Sequence, residues 1–268
     1  MNNTEISAER AAYLKGRQRT KKLVLTWQIG ILLLLALSWE LLARFGFIDN
    51  FILSQPSRIG STFINMVQYD LMNHVFVTVY ETLVGFILGV ITGTFLAVIL
   101  WWSSFVAKVS EPYLVVLNSL PKIALGPVII IIVGAGTEAI IFMALAISLI
   151  VTVLEMLNGF RHTDSEYIRM ALTFGATKAQ VFMKVVFPYN IATLFNSLKI
   201  NIGLSLVGVI AGEFLVSKAG LGYLIVYGGQ VFKMDLVMSS VIILAIVAAL
   251  MYEGVVLMQR VAMRWYNH

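Results

Sequence analysis

Groups that titrate, attack or ligate are few in this 268-residue chain, and they keep little useful company. Cysteine is absent, which removes disulfides, thiolate metal sites and cysteine nucleophiles, and the three histidines, His74, His162 and His268, lie far apart in sequence. No catalytic residue and no metal site is therefore expected. Embedded in apolar stretches are Glu40, Glu81, Lys122, Glu155, Lys199, Glu213 and Glu253, none with a histidine partner or a motif mate at helical spacing. That argues against an intramembrane protease or lipid transferase. No Gly-x-x-x-x-Gly-Lys-Ser/Thr loop occurs, so any nucleotide chemistry must come from another chain. Gly134-Ala-Gly136 and Gly220-Leu-Gly222 have the spacing of a dinucleotide loop, but neither follows a strand.

What the polar residues favour instead is the passage of a solute. Between Pro112 and Val133 an apolar run is interrupted by Pro121 and Pro127 and holds Lys122 near its middle. Proline removes an amide donor and clashes with the preceding turn, so two of them fit a membrane helix only where the freed carbonyls face protein or water. Broken helices of this sort line substrate paths. A lysine within the bilayer costs roughly 2.5–3.5 kcal/mol on insertion scales and marks either a pathway or a buried pair. Asn118, Ser119 and Lys122 are the candidate pathway residues, with snorkelling or a carboxylate pair as the bland alternative for Lys122. Lys199 poses the same question, and Glu155, at a comparable depth, is its expected structural partner.

These residues need a membrane scaffold, and the composition supplies one. Hydrophobic residues make up 59% of the chain and charged residues 12%, with mean hydropathy +0.89; soluble domains average ~45–50% and ~25%. A bilayer requires ~20 apolar residues per helix. Six runs qualify, at about 23–43, 77–102, 112–133, 139–157, 194–215 and 236–258. The expected fold is an all-α polytopic membrane protein in which a cytosolic segment, 1–22, precedes a transmembrane domain, 23–268. A secondary transporter with internal repeats is a rival reading, but no convincing repeat is present. The polar head is too long, and the first run too long, for a cleaved signal peptide.

The net charge of +5 could point to nucleic acid, but the distribution of the basic residues points to orientation in a bilayer. Arg10, Lys15, Arg17, Arg19, Lys21 and Lys22 precede the first run, and Lys108, Arg161, Arg169, Lys178, Lys184, Arg260 and Arg264 fall on the same side. Only Arg44, Arg58, Lys218 and Lys233 fall on the other. The positive-inside rule then puts both termini in the cytosol.

Two segments are organised beyond the needs of a span. Gly85, Gly89 and Gly93 at four-residue spacing form one bare helical face, suited to close packing within the chain or, less simply, to a dimer seam. The cytosolic connection 158–191 carries start and stop signals for two helices. Thr163-Asp-Ser-Glu166 and Thr177-Lys-Ala-Gln180 have capping-box form. Gly175 can supply a left-handed stop, and Pro188 is expected to end the second helix at Phe187. Ile168, Ala171 and Leu172 on the first helix, and Ala179, Phe182, Met183 and Val186 on the second, form apolar stripes. Such a pair either docks into a partner's groove or packs under its own membrane helices. A DNA-reading role would need a freer and more basic surface.

Arg169-Met-Ala171-Leu-Thr-Phe-Gly175-Ala176, followed by Phe182, Val185, Phe187 and Pro188, resembles the EAA loop of binding-protein-dependent ABC importer permeases. That loop has Glu-Ala-Ala, three residues, Gly, nine residues, an aliphatic, one residue, then Leu-Pro. The spacing agrees from Gly175 to Pro188; Arg169, Met170 and Phe187 depart in residue type. The likeness extends over nearly the whole chain from the first span. Glu213-Phe-Leu, Ala219-Gly-Leu-Gly-Tyr-Leu224 and Ser119-Leu-Pro-Lys-Ile-Ala-Leu-Gly-Pro127 are similar to the nitrate, sulfonate and taurine branch, whose relatives also carry thiamine precursors, riboflavin or aromatic acids.

The resemblance implies a type I importer permease fold in a bacterial inner membrane. It implies a second permease subunit, an identical copy, and a dimer of ATPase subunits that hold ATP and Mg while this chain binds no cofactor. An extracytoplasmic binding protein would deliver substrate. Arg169, Ala171, Gly175, Ala176, Phe182, Phe187 and Pro188 would form the coupling loop, and Gly220, Gly222 and Tyr223 a gate or receptor-facing segment.

Overall fold

A computed structural model describes residues 8–49, 53–68 and 70–266, so His268 and the first seven residues of the polar head lie outside the described residues. All regular elements among the described residues are helical. Among the described residues five helices are long and apolar enough to cross a membrane, six if a bent pair counts as one span.

The first helix, α1 (Ala8–Arg44), starts well before the apolar run expected at residue 23. The basic head is rich in Ala, Lys and Arg, all good helix formers, so the helix extends without a break into the bilayer segment. Most of the apolar stretch of α1 is unburied, and the helix meets the rest of the chain near its end, where Ala43 is 1% exposed. Near that end Glu40 accepts from the Ser57 amide at 3.0 Å and so caps α2 (Pro56–Gln68). This amphipathic helix was not foreseen in the sequence, and it lies against α3 (Leu71–Trp102) and α12 (Met234–Tyr266).

The third expected span is split. Its first limb, α4 (Ser104–Ser119), begins earlier than expected and carries Pro112 inside it. A 3₁₀ turn at Lys122–Leu125 leads to the short α5 (Gly126–Val133), and the two limbs meet at 88°. Pro121 makes the break. Pro127 does not: it sits in the first turn of α5, where a missing amide costs nothing.

At the centre, α6 (Thr137–Arg161) packs on α3 along one face and on α10 (Ile191–Val216) along another. The glycine spacing explains the closeness of α3 and α6. A Cβ added at Gly85, Gly89 or Gly93 would collide with Ala144, Ser148 or Thr152, which follow the same four-residue repeat on α6. This face is used inside the chain, so the dimer-seam reading of the three glycines is replaced. The remaining elements are the hairpin helix α7 (Ser165–Thr173), the short turns α8 (Lys178–Val181) and α9 (Phe187–Tyr189), and α11 (Leu221–Gln230). The hairpin lies at one end of the bundle, where α3 and α6 finish and α10 starts; α2 and α11 lie at the opposite end.

Candidate functional site: the helical hairpin and the opposite loop

The hairpin is closed by local hydrogen bonding at each corner. Its first helix is capped by Asp164, whose carboxylate accepts from the Glu166 amide at 2.9 Å. Thr163, expected to be the cap, is buried, and its hydroxyl accepts from Asn190 Nδ2 at 2.8 Å, pinning the two ends of the connection together. The shift by one residue follows from this stronger use of Thr163. At the far end of α7, the Ala176 amide donates to the Ala171 carbonyl and the Gly175 amide to that of Leu172, a complete Schellman motif. Gly175 takes φ +78 there, and a Cβ would meet nothing within 4 Å, so the demand on this residue is conformational and not spatial.

Thr177 and Gln180 form the expected reciprocal capping box. Beyond Val181 the chain widens into a π turn, Phe182–Val186, in which the Phe187 amide donates to the Phe182 carbonyl. Proline at 188 has no amide to offer the carbonyl of residue 184, and the wider turn accommodates that gap. Pro188 therefore does not end the helix as expected; it sits in the first turn of α9.

The apolar residues of the hairpin divide between two faces, of which one packs under the chain's own membrane helices. Val181, Phe182 and Val186 are buried with Ala97, Met156 and Phe160 of α3 and α6, and Ala171, Ala176 and Phe187 pack against the same cluster. Phe182 sits among rings, 5.0 Å from Trp101 and 5.4 Å from Phe160. The Lys178 ammonium donates to the Trp102 carbonyl and lies 5.6 Å over the Trp101 ring. The other face remains open: Phe174 is 83% exposed, Met183 67% and Met170 55%, with Arg169 exposed beside them. Met183 and Ala179 thus leave the stripe assigned to them, as does Leu172 on the first helix; Met183 lies within the π turn, where α-helical register is lost, whereas Ala179 precedes it.

The bend of the broken span gathers the pathway candidates. Lys122 Nζ donates to the Asn118 carbonyl at 2.8 Å, and Ser119 Oγ donates to the Val115 carbonyl at 2.9 Å. Lys122 thereby serves the carbonyls freed at the end of α4. Next to it lies a cavity of about 620 Å³, walled by Ile123, Ala124 and Pro127 from the bend and by Leu206, Ile210 and Phe214 from α10. Its lining is wholly apolar side chains. The expected Lys199–Glu155 pair is not formed. Lys199 faces Asn196 at 3.5 Å on its own helix, and Glu155 lines a groove with Glu111 and Arg161. Among the described residues the ion pairs are Arg44–Glu40, Arg58–Asp235 and Arg161–Glu111.

At the opposite end, Gly220, Gly222 and Tyr223 belong to the start of α11. Glu213, 1% exposed, accepts from Thr78 Oγ1 at 2.6 Å and from the Gly222 amide at 2.5 Å. Gly220 (φ +112) and Gly222 both lie flat on this carboxylate, where any Cβ would overlap it. Tyr223 stacks on His74 at 6.1 Å and on Tyr227 at 5.9 Å. Glu81 is fully buried beside Glu213. Sequence pattern marked Glu213 and the glycines, but gave no signal for Thr78, because a lone threonine in an apolar span usually bonds its own helix.

A multi-span helical bundle with a broken span, a capped hairpin on one end and a folded loop on the other is the architecture of a membrane permease of the importer kind. The chain belongs to the family of binding-protein-dependent transport system inner membrane components, whose model matches residues 85–266. A probable ABC transporter permease protein of Haemophilus influenzae is 25% identical over 85% of this chain and 91% of its own length. The putative aliphatic sulfonates transport permease protein SsuC of Bacillus subtilis is 24% identical over 90% and 88%. Relatives at 24–26% identity carry names for taurine, nitrate, formylaminopyrimidine and riboflavin transport. In fold, the chain matches a subunit in inward-facing conformations of the MetNI methionine ABC transporter, with TM-score 0.65 and 20% identity over 72% of this chain and 96% of that one. The protein is thus an all-helical type I ABC importer permease of the inner membrane, with ATPase and substrate-binding partners implied by its family.

Proposed function

We propose that the chain is one of two identical permease subunits that pass a small anionic solute, of the nitrate, sulfonate or taurine kind, into the cytosol. Both termini and the hairpin face the cytosol, where the hairpin of each copy sits in a cleft of an ATPase dimer that binds ATP with Mg. A binding protein approaches the end that carries Gly220, Gly222 and Tyr223. The chain itself holds no cofactor and binds no nucleic acid.

The observation that carries this reading is the two-faced hairpin. One face is buried under α3 and α6, so the hairpin moves with the membrane helices; the other presents Phe174, Met183, Met170 and Arg169 to a partner. Exposed apolar side chains on a stiff, capped element are the anchors expected of a protein interface. The anionic substrate is supported by the names of the sulfonate, taurine and nitrate relatives, and by Lys122 at the bend with Asn118 and Ser119. The apolar wall of the cavity favours a second reading, a ring compound such as a thiamine precursor, riboflavin or an aromatic acid.

Because the chain has no cysteine, a single introduced Phe174→Cys gives a unique crosslinking site. In membranes holding the whole complex it should crosslink to the ATPase subunit and to nothing else of similar yield. Uptake in proteoliposomes should need ATP, the ATPase and the binding protein, with excess sulfonate or taurine competing and flavins or pyrimidines not competing. Transport by the purified chain unaided, or the absence of ATPase crosslinks, would overturn the permease assignment; competition by ring compounds alone would move the substrate to the second reading.

A further inference from the structure

Helix α11 opens with three successive backbone N–H groups that are received by side chains of other helices. Gly220 donates to His74 Nδ1 at 3.0 Å, Leu221 to Thr78 Oγ1 at 2.8 Å, and Gly222 to Glu213 Oε2 at 2.5 Å. A helix start leaves its first amides without intrahelical partners, and the usual remedy is a side chain of the preceding residue. Here the preceding residue is glycine, and α3 and α10 supply every acceptor. Thr78 also donates a hydrogen bond from its own hydroxyl to Glu213 Oε1 at 2.6 Å, which closes hydroxyl, carboxylate and loop amides into one network. Thr78 and Glu213 are buried to 0% and 1% exposure. In that environment an amide stripped of its acceptor has no water to turn to, so α11 keeps its position relative to α3 as long as the network is intact.

The other end of α3 is fastened to the hairpin. The Trp102 carbonyl takes the Lys178 ammonium, the two tryptophan rings lie under that charge at 5.6 and 5.8 Å, and Phe182 packs on Trp101. One helix of 32 residues, about 48 Å long at 1.5 Å per residue, thus has the hairpin at one end and the α11 loop at the other. It contains no proline, and its glycine face is seated on α6 in the middle. The broken span turns by 88°, and α10 is entered through a π turn and Pro188; α6 and α12 are unbroken too, but the hydrogen bonds that receive the α11 amides come from α3 and α10.

We propose that α3 is the rigid link that carries displacement between the hairpin and the α11 loop, and that Thr78 and Glu213 are the positioning residues that couple this loop to it. The proposal rests on the reading of the hairpin as the ATPase-facing element and of the loop as the receptor-facing one. It predicts that cutting the network leaves hydrolysis running but deaf to the receptor.

The test uses the full complex in proteoliposomes and reads ATP hydrolysis with and without the binding protein, together with uptake. Thr78→Val keeps the shape and removes both hydrogen bonds; receptor stimulation and uptake should fall at least tenfold while basal hydrolysis and co-purification of the ATPase persist. Thr78→Ser should restore both. His74→Phe keeps the ring against Tyr223 but takes away the acceptor for Gly220, and should lower stimulation severalfold; it decides the matter if Thr78→Val fails to assemble. Wild-type stimulation in an assembled Thr78→Val complex, or in His74→Phe when the first variant is lost, overturns the link. A wild-type complex with no receptor-stimulated hydrolysis would sink the functional reading instead, which keeps the two failures distinct.

Discussion

Gly175 shows how much a single residue can decide when space is not the constraint. At φ +78 a β-branched side chain is strained by roughly 1–2 kcal/mol or more, and the strain falls on the corner that sets the angle between the two hairpin helices. Gly175→Val should therefore retain the membrane bundle, measured as folded protein in detergent, yet lose ATPase co-purification or uncouple hydrolysis from uptake. Gly175→Asn should be mild, because asparagine visits the left-handed region more readily. Equal activity of the valine variant and wild type would show that the hairpin angle is not what the partner reads. Lys178 and Thr163 teach a related lesson. Each has a side chain whose sequence context promises one local use, an exposed charge or a helix cap, and each is taken instead by a distant backbone or side-chain partner, Trp102 or Asn190. Such choices are made by tertiary geometry, which local pattern does not contain.

The helices themselves were more legible than their junctions. Apolar runs of bilayer length gave every span to within a few residues at most ends, because composition alone forces a helix where no water can serve the backbone. The errors run one way: α1 and α12 extend beyond the apolar runs into stretches that hold Lys, Arg or Gln, good helix formers that hydropathy does not count, and α3 starts early, at Leu71, ahead of Asn73 and His74. The amphipathic α2 and the 88° bend required knowledge of what each segment packs against. The hairpin was foreseen through its glycine, capping box and spacing, while the π turn was not, since nothing in Phe182–Val186 marks it except the proline that follows. The glycine face of α3 supports a prediction at this scale. Gly89 lies against Ser148 so closely that no side chain fits, and overpacking of this kind costs about 1–3 kcal/mol or more. Gly89→Leu should reduce the yield of folded protein and lower its thermal midpoint in detergent, whereas Gly229→Leu, which meets nothing within 4 Å, should do neither. Equal stability of the two variants would mean that α3 and α6 are not in the contact described.

For the molecule as a whole, the charge distribution and the bundle make a joint claim. The hairpin, the start of α4 and the end of α6 lie at one end, and it carries Lys108, Arg161, Arg169, Lys178 and Lys184; Arg44, Arg58, Lys218 and Lys233 lie at the other, with α2 and α11. Positive charge is retained on the cytosolic side during insertion, so the prediction is that the basic end faces inward and the α11 end outward. Introduced cysteines report it directly, against a chain that has none of its own. Lys218→Cys, exposed beside the α11 loop, should react with a membrane-impermeant maleimide in spheroplasts, and Phe174→Cys should react only after the membrane is inverted. The reverse pattern would put the hairpin outside, where no ATP is available, and neither the ATPase partner nor the direction of uptake could stand.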